Sequence, residues 1–160
     1  MKNITVNKIA KIGIVAAIYA VLTAVIAPIS YGAIQFRISE VMTLLAFIDP
    51  LYIPGLVLGC AISNLFSPLG VVDVVVGTTA TFISVYMISK SRNLLVASLW
   101  PTINCVFVGA ELYYLQHLPF WLISLQVAIG EFVVVTLIGY PMFRILIKKD
   151  HIIKLLKVSN

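Results

Sequence analysis

Apolar residues run through this chain in six long stretches, each closed by a short cluster of breakers or charges. The first covers about 9–27 and ends at Pro28. A loop flecked with polar residues, Pro28 to Phe36, leads to a second stretch over 37–48, which turns at Asp49-Pro50. The third covers 51–66 and closes on Ser67-Pro68-Leu69-Gly70, and the fourth covers 72–89 and stops at Lys90-Ser91-Arg92-Asn93. The fifth, 94–116, turns at His117-Leu118-Pro119 into the sixth, 120–147. A helix needs roughly 20 apolar residues to cross a bilayer. The pattern therefore predicts an all-α polytopic membrane protein, a bundle of six transmembrane helices forming one integral membrane domain over 1–160. The second stretch is the short one, at ~18 Å against a hydrocarbon core of ~30 Å. It has to borrow from its flanks, or its turn has to sit among the headgroups. The runs are continuous and do not alternate, which argues against a β-barrel.

Composition strengthens this reading. Hydrophobic residues make up 61% of the 160 and charged residues 11%, and mean hydropathy is +1.09. A soluble domain carries about 25% charged residues, so a soluble enzyme, a nucleic-acid-binding domain and a large extramembrane domain are excluded. The net charge of +5 does not call for a nucleic acid. Ten of the eleven basic residues flank the first, fourth, fifth and sixth stretches on one side, with only Arg37 opposite. The positive-inside rule makes that side cytoplasmic and puts both termini there. Lys2, Lys8 and Lys11 before an apolar run resemble a leader, but five more apolar stretches follow, so the run reads as a first span. Cys60 and Cys105 lie inside apolar runs and read as small buried hydrophobes.

With sidedness fixed, the polar residues acquire depths. Arg37, Glu40, Asn64 and Asp73 lie near the outer ends of spans two, three and four. Glu111, Gln126, Glu131 and Asn104 lie ~7–18 Å below the outer surface on spans five and six. Ionisable groups in a membrane cost at least ~2.5 kcal/mol each and usually face a cavity or a partner. Their shared depth predicts one polar pocket toward the outer face. Trp100, Asn104 and Glu111 form one stripe of span five, and Trp121, Ser124, Ala128 and Glu131 one stripe of span six. An aromatic beside a hydrogen-bonding group suits a flat polar heterocycle, stacked on its faces and bonded along its edge. The competing reading is that Glu111, Asn104 and Glu131 only hold helices together. Arg37 with Glu40 is the pair best suited to a purely structural role, and Trp121 equally suits an interfacial anchor.

Small residues add a second signal. Gly13/Ala17 and Ala16/Ala20/Ala24 recur every four residues on span one, as do Gly55/Gly59 on span three, which permits close helix approach. Docking of a partner and internal packing explain such a pattern equally well. There is no G-x-x-x-x-G-K-[ST] loop, no H-E-x-x-H pair and no Ser-His-Asp set at common depth. No ATPase, metal, cofactor or catalytic residue is expected, and the chain is not expected to be an enzyme.

The stretches Ala27 to Glu40, Gly55 to Gly70 with Asp73 and Gly77-Thr78, and Leu118-Pro119-Phe120-Trp121 through Gly130-Glu131 resemble the QueT family. These proteins are substrate-binding S components of energy-coupling factor (ECF) transporters. The resemblance implies a bacterial cell-membrane protein that captures a queuosine precursor, a 7-deazaguanine base, from outside. It also implies docking, through small residues of span one, onto a transmembrane coupling subunit (EcfT) that carries two ATPase subunits. The loop between spans one and two, with Tyr31, Gln35 and Phe36, would cap the site. A guanine-like edge would bring its donors to Glu131 or Glu111 and its carbonyl to Asn104 or Gln126, and Glu40 or Asp73 would meet a 7-aminomethyl cation. An S component for another flat vitamin, an ATPase-independent carrier or channel, and a membrane enzyme are the rival readings.

Overall fold

The computed structural model describes residues 6–32 and 34–158; Lys2, among the expected cytoplasmic cations, lies outside them. Among the described residues the fold is all helical. Besides a four-residue helix, Ala27–Ser30, we name the helices α1 (Val6–Val25), α2 (Ile38–Ile48), α3 (Pro50–Asn64), α4 (Val71–Lys90), α5 (Leu94–Gln116), α6 (Phe120–Ile147) and α7 (Asp150–Leu156). Each break has a local cause. Asp49 accepts the Leu51 N–H at 3.0 Å ahead of Pro50, Asn93 accepts the Leu95 N–H at 2.8 Å, and His117 ends α5 in the left-handed conformation.

Helices α1, α4, α5 and α6 are long and apolar enough to cross a membrane, and α2 and α3 are shorter. Outward faces carry large exposed side chains such as Ile18, Val75, Phe107 and Ile129. Water would not tolerate so much apolar surface. The chain is a multi-pass membrane protein. Around the bundle α1 packs on α3, α3 on α4, α4 on α5 and α5 on α6, while α2 sits against α1, α4 and α6. Tyr19, Leu44, Leu56, Val85, Ile88 and Val135 form the fully buried apolar centre.

Besides a single 3-10 turn at Pro50–Tyr52 that opens α3, two helices depart from regular α geometry, and neither departure is announced by the periodicity. Residues Ile38–Leu44 of α2 form a 3-10 helix. Its rise of ~2.0 Å per residue stretches the short element further than an α-helix would reach. Residues Phe132–Gly139 of α6 form a π-helix, starting directly after Glu131 and packed against α2. Beyond α6 the chain folds back across the basic end of the bundle. There Lys11 Nζ donates to the carbonyls of Leu155 and Lys157, Tyr52 Oη to that of Leu156, and the Val158 N–H donates to Asp49.

The two small-residue registers of α1 separate except at Ala24, which is half-buried and leaves the Ala16/Ala20 face. Ala16 and Ala20 are buried, and a Cβ at Gly59 would stand 2.8 Å from both the Ala16 carbonyl oxygen and Tyr19 Cβ. A Cβ at Gly55 would stand 2.6 Å from the carbonyl oxygen of Ile12. This register is therefore spent on packing α1 against α3, and Ala16 and Ala20 are not accessible to a partner. Gly13 has open space around it and Ala17 is exposed, with Ala24 at the edge of the same face. Gly59→Val is expected to lose ~1–3 kcal/mol, because backbone rather than a flexible side chain blocks the added atoms. Thermal unfolding of the detergent-solubilised protein checks this, and an unchanged midpoint would contradict the packing described.

Candidate substrate-binding site

At the end of the bundle opposite the basic loops, α4, α5 and α6 each carry a polar stripe inward. On α4 the stripe is Asp73, Gly77, Thr81 and Ser84; on α5 it is Asn104, Val108 and Glu111; on α6 it is Ser124, Val127 and Glu131, and all are buried. They enclose two adjoining cavities. The deeper has a volume of about 30 Å³ and is walled by Arg37, Glu40, Thr81, Ser84, Asn104 and Glu131, with Gln35 at one side. The other, about 180 Å³, lies closer to the helix ends among Tyr31, Gly32, Ser67, Asp73, Leu112 and Gln116, and again reaches Gln35. The deeper cavity has room for water and not for a two-ring base.

Gln35 stands between the two. It is buried and holds φ at +51°, a left-handed conformation that few residues other than glycine adopt. The backbone beside it is pinned from below: a side chain at Gly130 would collide with the carbonyl of Ile34. Gly130 thus lets the loop lie directly on α6, one residue before Glu131. Gly109 does the same between α5 and α6, where any Cβ would overlap Ser124.

Arg37 organises the charges. Its Nη2 lies 3.7 Å from Asp73 Oδ2, its Nε donates to the Ser30 carbonyl, and its guanidinium sits 5.4 Å from the centre of the Tyr31 ring. Asn64 accepts from Arg37 Nη1 and donates to the Asp73 carbonyl oxygen, so it braces this pair and lines neither cavity. Glu40 is not the partner of Arg37 that proximity in sequence suggests. Arg37 precedes α2 in extended backbone, whereas Glu40, inside the 3-10 stretch, faces α1 and accepts a hydrogen bond from Tyr19 Oη.

Several polar atoms remain without a hydrogen-bond partner: both carboxylate oxygens of Glu111, Glu131 Oε2, Asp73 Oδ1, Arg37 Nη2 and Ser124 Oγ. Buried polar atoms are satisfied in the great majority of cases. Three of these exceptions, Glu131 Oε2, Asp73 Oδ1 and Arg37 Nη2, belong to residues that line the cavities, the signature of a site built to bond something else.

The structure divides the expected residues. Gln35, Arg37, Glu40, Asn104 and Glu131 converge on the deeper cavity, and Asp73 with Tyr31 on the outer one. Glu111 is buried nearby and lines neither. Trp121 is 80% exposed on the outside of α6, so it does not stack in the site. Gln126 lines neither cavity, and Phe36 packs on the apolar centre. Trp100 lies at the far end of α5, its indole donating to Ser91 Oγ at 3.0 Å. Asn104 also differs in role. Its amide nitrogen is committed to the Ala80 carbonyl and, at 2.7 Å, to Ser84 Oγ, so it presents an acceptor to the cavity and no donor. Thr81, Ser84 and Cys105 were not singled out, although Asp73, Gly77 and Ser84 share a helical face that the i, i+4, i+11 spacing marks.

A profile of the QueT transporter family matches residues 9–148. The chain belongs to the QueT transporter family. Within the family it is similar to the queuosine precursor transporter QueT of Lactococcus lactis subsp. cremoris (strain MG1363). The two are 33% identical over 149 residues, covering 82% of this chain and 88% of the relative. No solved structure matches the chain. Both buried stripes of α4 and α5, and Glu131 on α6, fall within the matched residues.

Proposed function

We propose that this QueT-family chain is the substrate-binding S component of an ECF-type importer, taking up a queuosine precursor, a 7-deazaguanine base, from outside. The observation that carries the reading is the set of unpartnered buried polar atoms of Glu131, Asp73 and Arg37, residues that line the paired cavities. The relative's transport of a queuosine precursor supports the ligand class. A guanine-like edge offers adjacent N–H donors beside a carbonyl. Glu131 accepts the donors, and the carbonyl meets Arg37 Nη2 or Gln35, since Asn104 has no N–H to give. Carboxylate to paired N–H groups is a charge-assisted contact of the strong kind. Glu131 lines only the deeper cavity, which is too small for the ring, so Gln35 has to move aside on entry and return over the ligand. Relief of its left-handed backbone favours that movement. Six spans, with both termini cytoplasmic, belong to this reading, which has α2 and α3 crossing as a short pair.

Energy for uptake comes from partner ATPase subunits through a coupling subunit, docked on the open Gly13/Ala17/Ala24 face of α1. Ala17→Trp tests this directly. It is expected to leave binding of a 7-deazaguanine unchanged in purified protein while lowering ATP-dependent uptake in cells by about tenfold or more. Uptake that persists in cells lacking the ATPases would instead indicate a carrier working alone.

A further inference from the structure

At the basic end of the bundle a groove of about 330 Å³ opens between α2, the start of α5 and the end of α6. Phe47, Leu94 and Tyr140 form its apolar wall, and Asn93, Arg144 and Lys148 bring polar groups to it. Arg144 is held with its guanidinium 5.9 Å from the centre of the Tyr140 ring. Among the described residues neither Arg144 nor Lys148 has a carboxylate partner; the ion pair there is Arg37 with Asp73, at the opposite end. Asn93 uses its side-chain oxygen on the Leu95 N–H, which leaves its NH2 group as a donor toward the groove. Next to the groove α6 exposes Leu137, Ile138 and Ile145 to the surroundings.

We propose that this groove is a binding site for the headgroup of an anionic phospholipid of the leaflet at the basic end. Two unpaired cations and an amide donor suit a phosphodiester, and the adjoining apolar face of α6 gives its acyl chains a surface. A zwitterionic lipid fits less well, since no carboxylate lines the groove to meet its ammonium; Asp150 lies in the neighbouring cavity beyond Ile147. A basic pocket between helices, at the depth where headgroups lie, is the arrangement that retains such lipids. The site is remote from the cavities and does not depend on which solute they take.

The test is titration of the full-length, detergent-purified protein with phosphatidylglycerol or phosphatidylcholine, read by native mass spectrometry. Phosphatidylglycerol is expected to be retained in preference to phosphatidylcholine. The R144Q/K148Q double substitution should weaken phosphatidylglycerol retention by about thirtyfold and leave phosphatidylcholine unaffected. Lys154→Gln, on α7 away from the groove, should change neither. Both groove residues are exposed, and the single Lys148→Gln variant, with an intermediate loss, guards against a folding defect in the double. Equal retention of the two lipids, an equal loss in Lys154→Gln, or full displacement by inorganic phosphate would overturn the proposal. So would a double variant that keeps its phosphatidylglycerol but fails in uptake, since the groove would then serve a protein partner.

Discussion

Glu131→Gln weakens binding of 7-deazaguanine by about 1–3 kcal/mol, or roughly five- to 150-fold, on this account. Glu131 is 9% exposed, at the last α-helical turn before the π-stretch of α6, and its Oε2 has no hydrogen-bond partner. As a carboxylate it accepts from two adjacent N–H groups. As an amide it keeps one acceptor and turns an NH2 toward a donor, leaving both poorly matched. Affinity is the quantity that should move; the unfolding midpoint should stay near wild type, because no protein group depends on Oε2. Isothermal titration together with a melting curve separates the two. A variant that binds like wild type would place the ring elsewhere, and a variant that no longer folds would make Glu131 a structural residue.

The second large effect is on stability. Arg37→Gln is expected to cost about 3–5 kcal/mol, the range for removing one partner of a buried ion pair. Arg37 is 4% exposed and is the cation nearest Asp73, in a region that also holds Glu40, Glu111 and Glu131. Its loss leaves the Asp73 carboxylate uncompensated in low dielectric and frees Asn64 and the Ser30 carbonyl from their contacts. Asp73→Asn alone should also destabilise. The double variant Arg37→Gln/Asp73→Asn should be less damaged than the sum of the two, because neither then strands the other as a lone charge. Strict additivity in unfolding free energies would mean that the pair is not coupled. That outcome would remove Arg37 as the organiser of the outer end.

These expectations depend on geometry that the sequence carries unevenly. The class of the protein was legible because apolar runs and breakers act locally: Asp49-Pro50, Asn93 and Pro119 interrupt helices whatever surrounds them. Depth along a helix was legible too, since a fixed rise per residue puts Asn104, Glu111 and Glu131 toward one end. Rotation about the helix axis was harder. The inward faces of α5 and α6 follow from the polar stripe, yet Trp121, one turn before Ser124, lies on the edge of that stripe and turns outward. Partner choice was least legible. Arg37 and Glu40 are three residues apart and would stack within one helix; Arg37 instead precedes α2 in extended backbone, so it reaches Asp73 on another helix while Glu40 meets Tyr19. The small-residue stripe on α1 had two registers in sequence, and only the close approach of Gly55 and Gly59 assigns one of them inward.

The central claim is that the paired cavities receive a queuosine precursor. Its most direct measurement is equilibrium binding of 7-deazaguanine to the purified chain alone, without coupling or ATPase subunits, with riboflavin as a flat competitor of different edge chemistry. Binding is expected to be saturable and one-to-one, undisturbed by excess riboflavin and weakened in Glu131→Gln. No binding of 7-deazaguanine, or its displacement by riboflavin at comparable concentration, would contradict it.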